Sequence, residues 1–411
     1  MIKINKKILF HYIAVLIISY IAILLKNPTF GLLVAALQLV VIFMTAKISL
    51  LTIFSFLINF CLVQEYGAYI GWNVYGILAY SSVPIYYFEL LYCTYFFNLL
   101  ILFVIYFTKY IENEEKLFKT SSIDIRFSLS VLLIIGAVLI TILIFPTLPS
   151  LQSFTTVNRF SGGILSFTGW SCISIFFLAV SIMNKKLRKL TIFATVFVLL
   201  WYFFHGERVD GTGLLAFFAI KYYYDNKDDK AAVFKIVILG SIAVVILVII
   251  GMIRSGTSEV SIQNILNKIL IQETACDVTH VFNCAVDLWK HGNQYHGYTY
   301  MSYLVNCIPF LADPYSFQSH IHEYYYTAGG GMFFAESVGN FGIRFAMLFS
   351  VAYIVAMSVL IRKTTTYRLL TYTALSISIF RTTWYGLNYP IIAILYFVPF
   401  IIVVNYLLKK R

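Results

Sequence analysis

Apolar runs of about 20 residues recur along almost the whole 411-residue chain. A helix needs about 20 apolar residues to cross the hydrocarbon core of a bilayer. Charged residues make up only 12% of the chain, whereas soluble domains average about 25%. The runs are continuous and do not alternate, which excludes a transmembrane β-barrel. The pattern therefore predicts an all-α fold, a polytopic bundle of helices in a membrane.

Twelve spans account for the apolar runs, and the chain divides around them. They are predicted at residues 8–25, 29–46, 48–64, 83–107, 128–146, 163–183, 190–204, 211–224, 236–253, 340–361, 369–386 and 390–408. The first run is long and lacks a small-residue cleavage site, so it is predicted to be a span and not a signal peptide. We expect spans 1 to 9 within residues 1–254, a small helical cap formed by a long outer loop at 255–331, and spans 10 to 12 within 332–411.

The distribution of the net charge of +12 distinguishes the two faces of the membrane. With twelve spans, most of the 30 lysines and arginines fall in alternate connections and at the two chain ends. The positive-inside rule therefore places both termini in the cytoplasm. The same distribution argues against nucleic acid as a partner.

Five arginines depart from this rule, because they lie at the outer ends of predicted spans. They are Arg159, Arg208, Arg254, Arg344 and Arg381. Arginine presents a rigid fork that binds phosphate oxygens in pairs, and charge inside a membrane usually serves function. The set predicts a site for an anionic, phosphate-bearing lipid. The alternative is that each arginine reaches the lipid headgroups or pairs with a carboxylate.

Spans 190–204 and 211–224 are short, since about 15 residues at roughly 1.5 Å each reach about 22 Å, less than a hydrocarbon core of about 30 Å. The turn between them is therefore expected to lie in a recess, where polar backbone lines a cavity. There Arg208 would hold a phosphate oxygen, supported by Glu207 and Asp210. A re-entrant hairpin and a self-satisfied Arg–carboxylate turn are the alternatives.

The segment 255–331 is too long and too patterned for a plain loop. Ser261 is predicted to cap one helix and Asp277 a second, because apolar residues follow each of them at helical spacing. Pro309 is predicted to end a third, short helix. These helices would form the cap over the bundle.

Three residues are candidates for a general base. His320 and His322 are the first choice, because histidine titrates near the working pH, and Glu336 is the second. The His-x-His pair lacks a third ligand at a zinc-like spacing, so no metal is expected. Glu89 is predicted to be the only carboxylate deep inside a span, where it pairs with an outer arginine or marks a proton path.

Nucleotide and cofactor motifs are missing from the sequence. There is no GxxxxGK[ST] phosphate loop, no GxSxG elbow and no DxD-like pair on the cytoplasmic side. This argues against a nucleotide-driven pump and against a cytoplasmic nucleotide-sugar transferase. No cofactor is expected.

Several of these features occur together in one order along the chain. Gly206 and Arg208 form a Gly-x-Arg turn between two mid-chain spans, and Arg254 ends the next outer-going span. A long segment of mixed histidine and aromatic residues follows, and then a glycine-rich stretch that runs into Glu336 and Gly339-Asn340-Phe341-Gly342. In this layout the chain resembles the Wzy-type polymerases that join oligosaccharide repeat units of O-antigen and capsule. His320 and His322 are similar to the outer-loop histidines of the related O-antigen ligases, although the usual His-Asn pair is absent.

The resemblance implies a multi-pass glycosyltransferase in the bacterial cytoplasmic (inner) membrane. It would transfer the growing glycan from polyprenyl diphosphate onto a new lipid-linked repeat unit at the outer leaflet. The outer arginines would neutralise the diphosphate leaving group, and His322, His320 or Glu336 would deprotonate the acceptor hydroxyl. The implied partners are the polyprenyl-diphosphate-linked oligosaccharide, the lipid bilayer, a chain-length regulator and a flippase.

Three other functions remain open on the sequence. A ligase that moves finished glycan onto lipid A would use the same residues. A glycolipid flippase or exporter would need basic residues along a central path, whereas the arginines cluster at the outer ends of spans. A receptor or scaffold would need none of the chemistry.

Overall fold

A computed structural model of the protein describes residues 6–72, 81–120, 125–148, 167–254, 261–308 and 311–410. Within these ranges every regular element is a helix, and the first ten α-helices are α1 Lys6–Leu25, α2 Pro28–Ala46, α3 Leu50–Tyr69, α4 Tyr87–Phe107, α5 Tyr110–Thr120, α6 Phe127–Ile144, α7 Phe167–Ser181, α8 Arg188–Phe204, α9 Val209–Asp225 and α10 Ala232–Arg254. The others are α11 Ile262–Leu270, α12 Glu273–Lys290, α13 Met301–Val305, α14 Phe317–Ile321, α15 Ala335–Phe341, α16 Ile343–Leu360, α17 Thr366–Ile377, α18 Ile379–Trp384 and α19 Val398–Lys410.

Eight helices in the described part are long and apolar enough to cross a membrane. They are Ile8–Leu25, Pro28–Ala46, Leu50–Tyr69, Tyr87–Phe107, Phe127–Ile144, Lys185–Phe204, Ala232–Met252 and Ile343–Leu360. Two shorter apolar helices cover Gly169–Ser181 and Ala393–Lys409. The predicted all-helical class is therefore confirmed for the described residues, and the length and composition of these helices are compatible with a membrane bundle. Of the remaining predicted spans, 211–224 corresponds to the 17-residue α9, and 369–386 is divided between α17 and α18.

The chain forms two compact units, and each unit consists of three segments that alternate along the sequence with those of the other. The first unit comprises Met1–Glu114, Ile271–Arg362 and Thr382–Gly386. The second unit comprises Glu115–Leu270, Lys363–Arg381 and Leu387–Arg411.

Helix α12 lies at the centre of the first unit, in contact with α3 and α15. The apolar face predicted for it is buried, at Val278, Val281, Phe282, Ala285 and Leu288. The predicted N-cap residue of α12, Asp277, was wrong, because the helix begins four residues earlier. The side chain of Gln272 caps it instead and accepts a hydrogen bond of 2.6 Å from the Ala275 N–H. Ala275 and Cys276 are also buried, so the apolar face continues back past Asp277 and extends the helix.

In the second unit, α9 and α17 approach to backbone contact. A Cβ added to Gly213 would lie 1.9 Å from the carbonyl oxygen of Ile377. Only glycine allows this crossing, since any side chain at this position meets backbone. Ser261 is confirmed as the N-cap residue of α11, because its Oγ accepts a hydrogen bond of 3.1 Å from the Asn264 N–H. Pro309 lies outside the described residues.

Candidate functional site

Arg381 is the centre of a buried ion-pair cluster in the second unit. Its Nε and Nη2 atoms donate to the two carboxylate oxygens of Asp210 at 3.1 and 2.9 Å, a bidentate pair. Nη2 also donates to Glu207 Oε1 at 2.7 Å. The ring of Tyr389 lies 5.0 Å from the guanidinium carbon. Arg381 is only 5% exposed and Asp210 1%, so this guanidinium is already committed to two carboxylates.

The close crossing at Gly213 accounts for the position of this cluster. Asp210 lies one turn before Gly213 on α9, and Arg381 lies one turn after Ile377 along the α17–α18 segment. Residues three or four apart share a helix face. The backbone contact between Gly213 and Ile377 therefore brings Asp210 and Arg381 together across the two helices.

The predicted turn between the two short spans is present, and Gly206 closes it. Gly206 has a φ of +79°, and its N–H donates to the Phe203 carbonyl at 2.9 Å. The Glu207 N–H donates to the Tyr202 carbonyl at 2.8 Å. Together these bonds make a Schellman motif, which requires a left-handed residue and favours glycine. The motif ends α8 and directs Glu207 and the following Arg208 away from the helix axis.

Arg208 differs from Arg381 in its surroundings. It is partly exposed, and among the described residues no carboxylate lies within ion-pairing distance of it. Its Nη1 would lie 2.8 Å from a Cβ added to Gly251, so the guanidinium rests against α10 where the side chain is missing. Arg254 follows three residues later, in the last turn of α10. The predicted support of Arg208 by Glu207 and Asp210 is replaced by their pairing with Arg381.

The other predicted arginines are placed differently. Arg254 belongs to α10, and nothing further is described of its side chain. Arg344 lies in the first turn of α16 in the first unit and is exposed. Arg159 lies outside the described residues. The structure therefore brings Arg208 and Arg254 to the same end of one helix.

Glu336 lies between two hydroxyl groups in the first unit. The Thr299 hydroxyl donates to Glu336 Oε1 at 2.9 Å, and the Tyr303 hydroxyl donates to Oε2 at 2.6 Å. Asn340 donates its amide to the Thr299 hydroxyl at 2.7 Å and holds that hydroxyl in place. Both carboxylate oxygens are thus oriented, one by Thr299 just before α13 and the other by Tyr303 within α13.

Burial raises the pKa of the Glu336 carboxyl to about 7. The Tyr303 and Thr299 hydroxyls oppose this increase because they donate to the charged form, whereas the negative charge of Asp313 adds to it. The residue remains partly accessible to solvent. A carboxylate with a pKa near neutral is matched to general-base catalysis.

His320 belongs to the same part of the first unit as Glu336. Its Nδ1 lies 3.0 Å from Glu323 Oε1 and its Nε2 lies 3.1 Å from the Pro314 carbonyl oxygen. Each ring nitrogen of His320 therefore already has an oxygen of the chain as its partner. Tyr298, which precedes Thr299, has its ring 5.1 Å from that of His320. In this arrangement both ring nitrogens of His320 contact the chain itself.

His322 is exposed, and its only described polar neighbour is the Thr327 hydroxyl, 3.4 Å from both ring nitrogens. Such long contacts do not fix the ring. Of the three predicted bases, Glu336 is therefore the one that the structure both orients and brings close to neutral pKa.

The environment of Glu336 is aromatic. The rings of Tyr298 and Tyr315 lie 5.0 Å apart, edge to face, and those of Tyr300 and Tyr303 are stacked at 5.9 Å. Tyr298 is 49% exposed. Tyrosine has an apolar ring face, which can stack on the C–H groups of a sugar ring, and a hydroxyl group, which can hydrogen-bond the sugar hydroxyls. A carboxylate among partly exposed tyrosines suits a polyhydroxylated ligand.

The predicted position of Glu89 was wrong, and a different glutamate is buried. Glu89 lies in the first turn of α4 and pairs with Lys290 at 2.5 Å. Glu65 in α3 is fully buried; its Oε2 accepts a hydrogen bond of 3.2 Å from Asn283, and its Oε1 has no partner among the described residues. The sequence signal for it is a carboxylate directly after the predicted third span, 48–64, which α3 extends to Tyr69.

Comparisons of the chain with family models, curated proteins and solved structures find no match in any of the three. The inference of a function therefore depends on Arg208 and Arg254 at the end of α10, on Glu336 with its two hydroxyl partners, and on the resemblance described above.

Proposed function

We propose that the protein polymerises lipid-linked oligosaccharide repeat units at the outer leaflet of the bacterial cytoplasmic membrane. The growing glycan is transferred from polyprenyl diphosphate to a new repeat unit, as in the Wzy-type polymerases of O-antigen and capsule assembly. The observation that carries the proposal is the contrast between two arginines. Arg381 is held by two carboxylates, whereas Arg208 is partly exposed at the end of α10 that also carries Arg254.

In the proposed reaction, the acceptor hydroxyl oxygen forms a bond to the anomeric carbon of the donor while the carbon–oxygen bond to the diphosphate breaks. The electron pair of that bond leaves with the diphosphate. Arg208 and Arg254 bind the leaving group and neutralise its developing charge, for which fixed cations are the usual device. Arginine is suited to this role because its fork matches two phosphate oxygens.

Glu336 is assigned as the general base that removes the proton of the acceptor hydroxyl. The contacts of His320 support a positioning role for that ring, and His322 has only long contacts. Glu336 is held by the Thr299 and Tyr303 hydroxyls, so its free electron pairs have defined directions. Its pKa of about 7 lets it accept a proton at neutral pH.

The proposal includes the finer topology. The twelve spans comprise the eight long helices, the two shorter apolar ones, α9, and the α17–α18 segment. At about 1.5 Å per residue, α9 is about 26 Å long, slightly less than a hydrocarbon core. Both termini are cytoplasmic, and residues 255–331 form a cap on the outer side. The chain-length regulator and the flippase remain the proposed partners.

A strain that lacks the gene tests the proposal through its surface glycan. A polymerase loss collapses the glycan ladder on a gel to the core with one repeat unit. A ladder that persists on its lipid carrier but is not attached to lipid A supports a ligase, and loss of all surface glycan supports an exporter. Either result contradicts polymerisation.

Complementation of that strain tests the arginine assignment. Arg208→Ala, produced at the wild-type protein level, is expected to leave the ladder collapsed. Arg208→Lys keeps the charge but loses the bidentate fork, so it is expected to restore a weak ladder. Arg188→Ala is the control, because Arg188 at the start of α8 is exposed in the same unit as Arg208 and faces the cytoplasm in the proposed topology. A wild-type ladder from Arg208→Ala removes this residue from the site.

A further inference from the structure

Helix α11 carries a continuous apolar face. Apolar residues at 262, 265, 266, 269 and 270 fall within an arc of about 140° at 3.6 residues per turn. None of the residues of α11 is buried. Ile262 is 79% exposed, Leu266 49% and Leu270 55%. An apolar face of this size on a stable helix requires a partner.

The neighbour of α11 in the second unit is a membrane span. Helix α10 contacts α11, and it has the composition of a span from Ala232 to Met252. No residue between Val233 and Gly251 is buried inside the molecule, so lipid is the natural cover for the sides of α10. Six residues separate the end of α10 from Ser261, and together with the contact this keeps α11 beside the end of the span.

We propose that α11 is an interfacial helix that lies on the bilayer surface with its apolar face in the acyl–headgroup boundary, beside the C-terminal end of α10. A short amphipathic helix of this kind inserts about 5–10 Å into the boundary and lies parallel to the membrane plane. The lipid that covers α10 continues beneath α11. The exposed face of Ile262, Leu266 and Leu270 is thereby removed from water.

The polar face of α11 fits the headgroup region. It consists of Gln263, Asn264, Asn267 and Lys268, and it contains no carboxylate. The single charge is positive, which complements the phosphates of lipid headgroups. A protein partner would cover the same apolar face, but the continuity of this face with the uncovered surface of α10 favours lipid. This placement is independent of the proposed glycan chemistry.

Depth-dependent quenching in vesicles tests the placement with the full chain. Cys307 is partly exposed and the other five cysteines are buried, so Cys307→Ser provides a background with little labelling. In that background, Leu266→Cys carries a bimane on the apolar face, and Asn267→Cys carries one on the polar face of the same helix. The protein is reconstituted in phosphatidylethanolamine–phosphatidylglycerol vesicles with and without brominated phosphatidylcholine.

The expected result is loss of most of the bimane fluorescence at position 266 in brominated vesicles and retention of most of it at position 267. Ile262→Cys, at the start of the helix, is expected to match position 266 and serves if Leu266→Cys does not fold. Equal quenching at 266 and 267 overturns the proposal. Protection at 266 also overturns it when the unlabelled Leu266→Cys protein forms disulfide-linked dimers on oxidation, because a second copy of the chain then covers the face.

Discussion

Replacing Arg381 removes the only cation described in its buried cluster. In Arg381→Met the side chain keeps much of its length, but Glu207 and Asp210 lose three hydrogen bonds of 2.7 to 3.1 Å. Glu207 is 8% exposed and Asp210 1%, so their charges cannot be solvated by water. Breaking a buried ion pair by removing one partner costs about 3–5 kcal/mol. The variant is therefore expected to unfold well below the wild-type temperature.

The matched control removes the charges together. In the triple variant Arg381→Met, Glu207→Gln and Asp210→Asn, no buried charge is left without a partner. Neutral amides remove the cost of two unpaired buried charges and leave only the smaller cost of buried amides that have lost the guanidinium, so the triple variant is expected to recover part of the lost stability. Thermal unfolding of the purified proteins in detergent, followed by size exclusion, measures both effects.

Two outcomes would refute this reasoning. If Arg381→Met unfolds at the wild-type temperature, the carboxylates do not depend on the guanidinium. If the triple variant is as unstable as the single one, the loss comes from packing of the Arg381 side chain and not from charge. The triple variant also has a functional readout, since a ladder restored by it shows that Arg381 is structural and does not bind diphosphate.

Three further predictions follow from single contacts. Below a pH of about 4.3 the Glu336 carboxyl is protonated in both the folded and the unfolded chain. Between that pH and about 7 only the unfolded chain releases the proton, so the free energy of unfolding of the wild type falls by about 3 kcal/mol as the pH rises. Glu336→Gln is expected to remove this dependence when melting is measured across that pH range. Tyr303→Phe removes a hydrogen bond to the charged carboxylate, which raises the pKa of Glu336 and shifts the acidic limb of the activity–pH profile to higher pH; an unshifted limb would separate Glu336 from the base role. Gly213→Ala forces a methyl group against the Ile377 carbonyl and is expected to cost about 1–3 kcal/mol or more in melting, whereas Gly240→Ala, with nothing within 4 Å, should change stability by less than about 1 kcal/mol.

The helical class and the α11 helix were predictable because both depend on local pattern. Apolar runs of span length leave little choice to the backbone in a bilayer. Ser261 caps α11 because the chain places a hydroxyl immediately before an amphipathic repeat. The start of α12 was not predictable in this way, since Asp277 is the better N-cap by residue type, but buried packing of the first turn moves the start to the Gln272 cap.

The partners of the candidate site residues were not predictable, because they depend on contacts between distant segments. The turn between the short spans supplied Glu207 and Asp210, but the sequence contains five outer arginines that suit them. The close crossing at Gly213 selects Arg381, 171 residues after Asp210. Glu65 was missed because the third span was predicted to end at residue 64, whereas α3 continues to Tyr69.

Reconstitution of the purified protein with its lipid substrate tests the central claim most directly. Vesicles containing the protein are supplied with polyprenyl-diphosphate-linked repeat units, and the lipid-linked products are separated by length. Polymerisation predicts a ladder in which each new glycosidic bond releases one polyprenyl diphosphate, and it predicts that Arg208→Ala abolishes the ladder while the protein remains folded. Repeat units that stay single in the presence of the folded wild-type protein would contradict the proposed function.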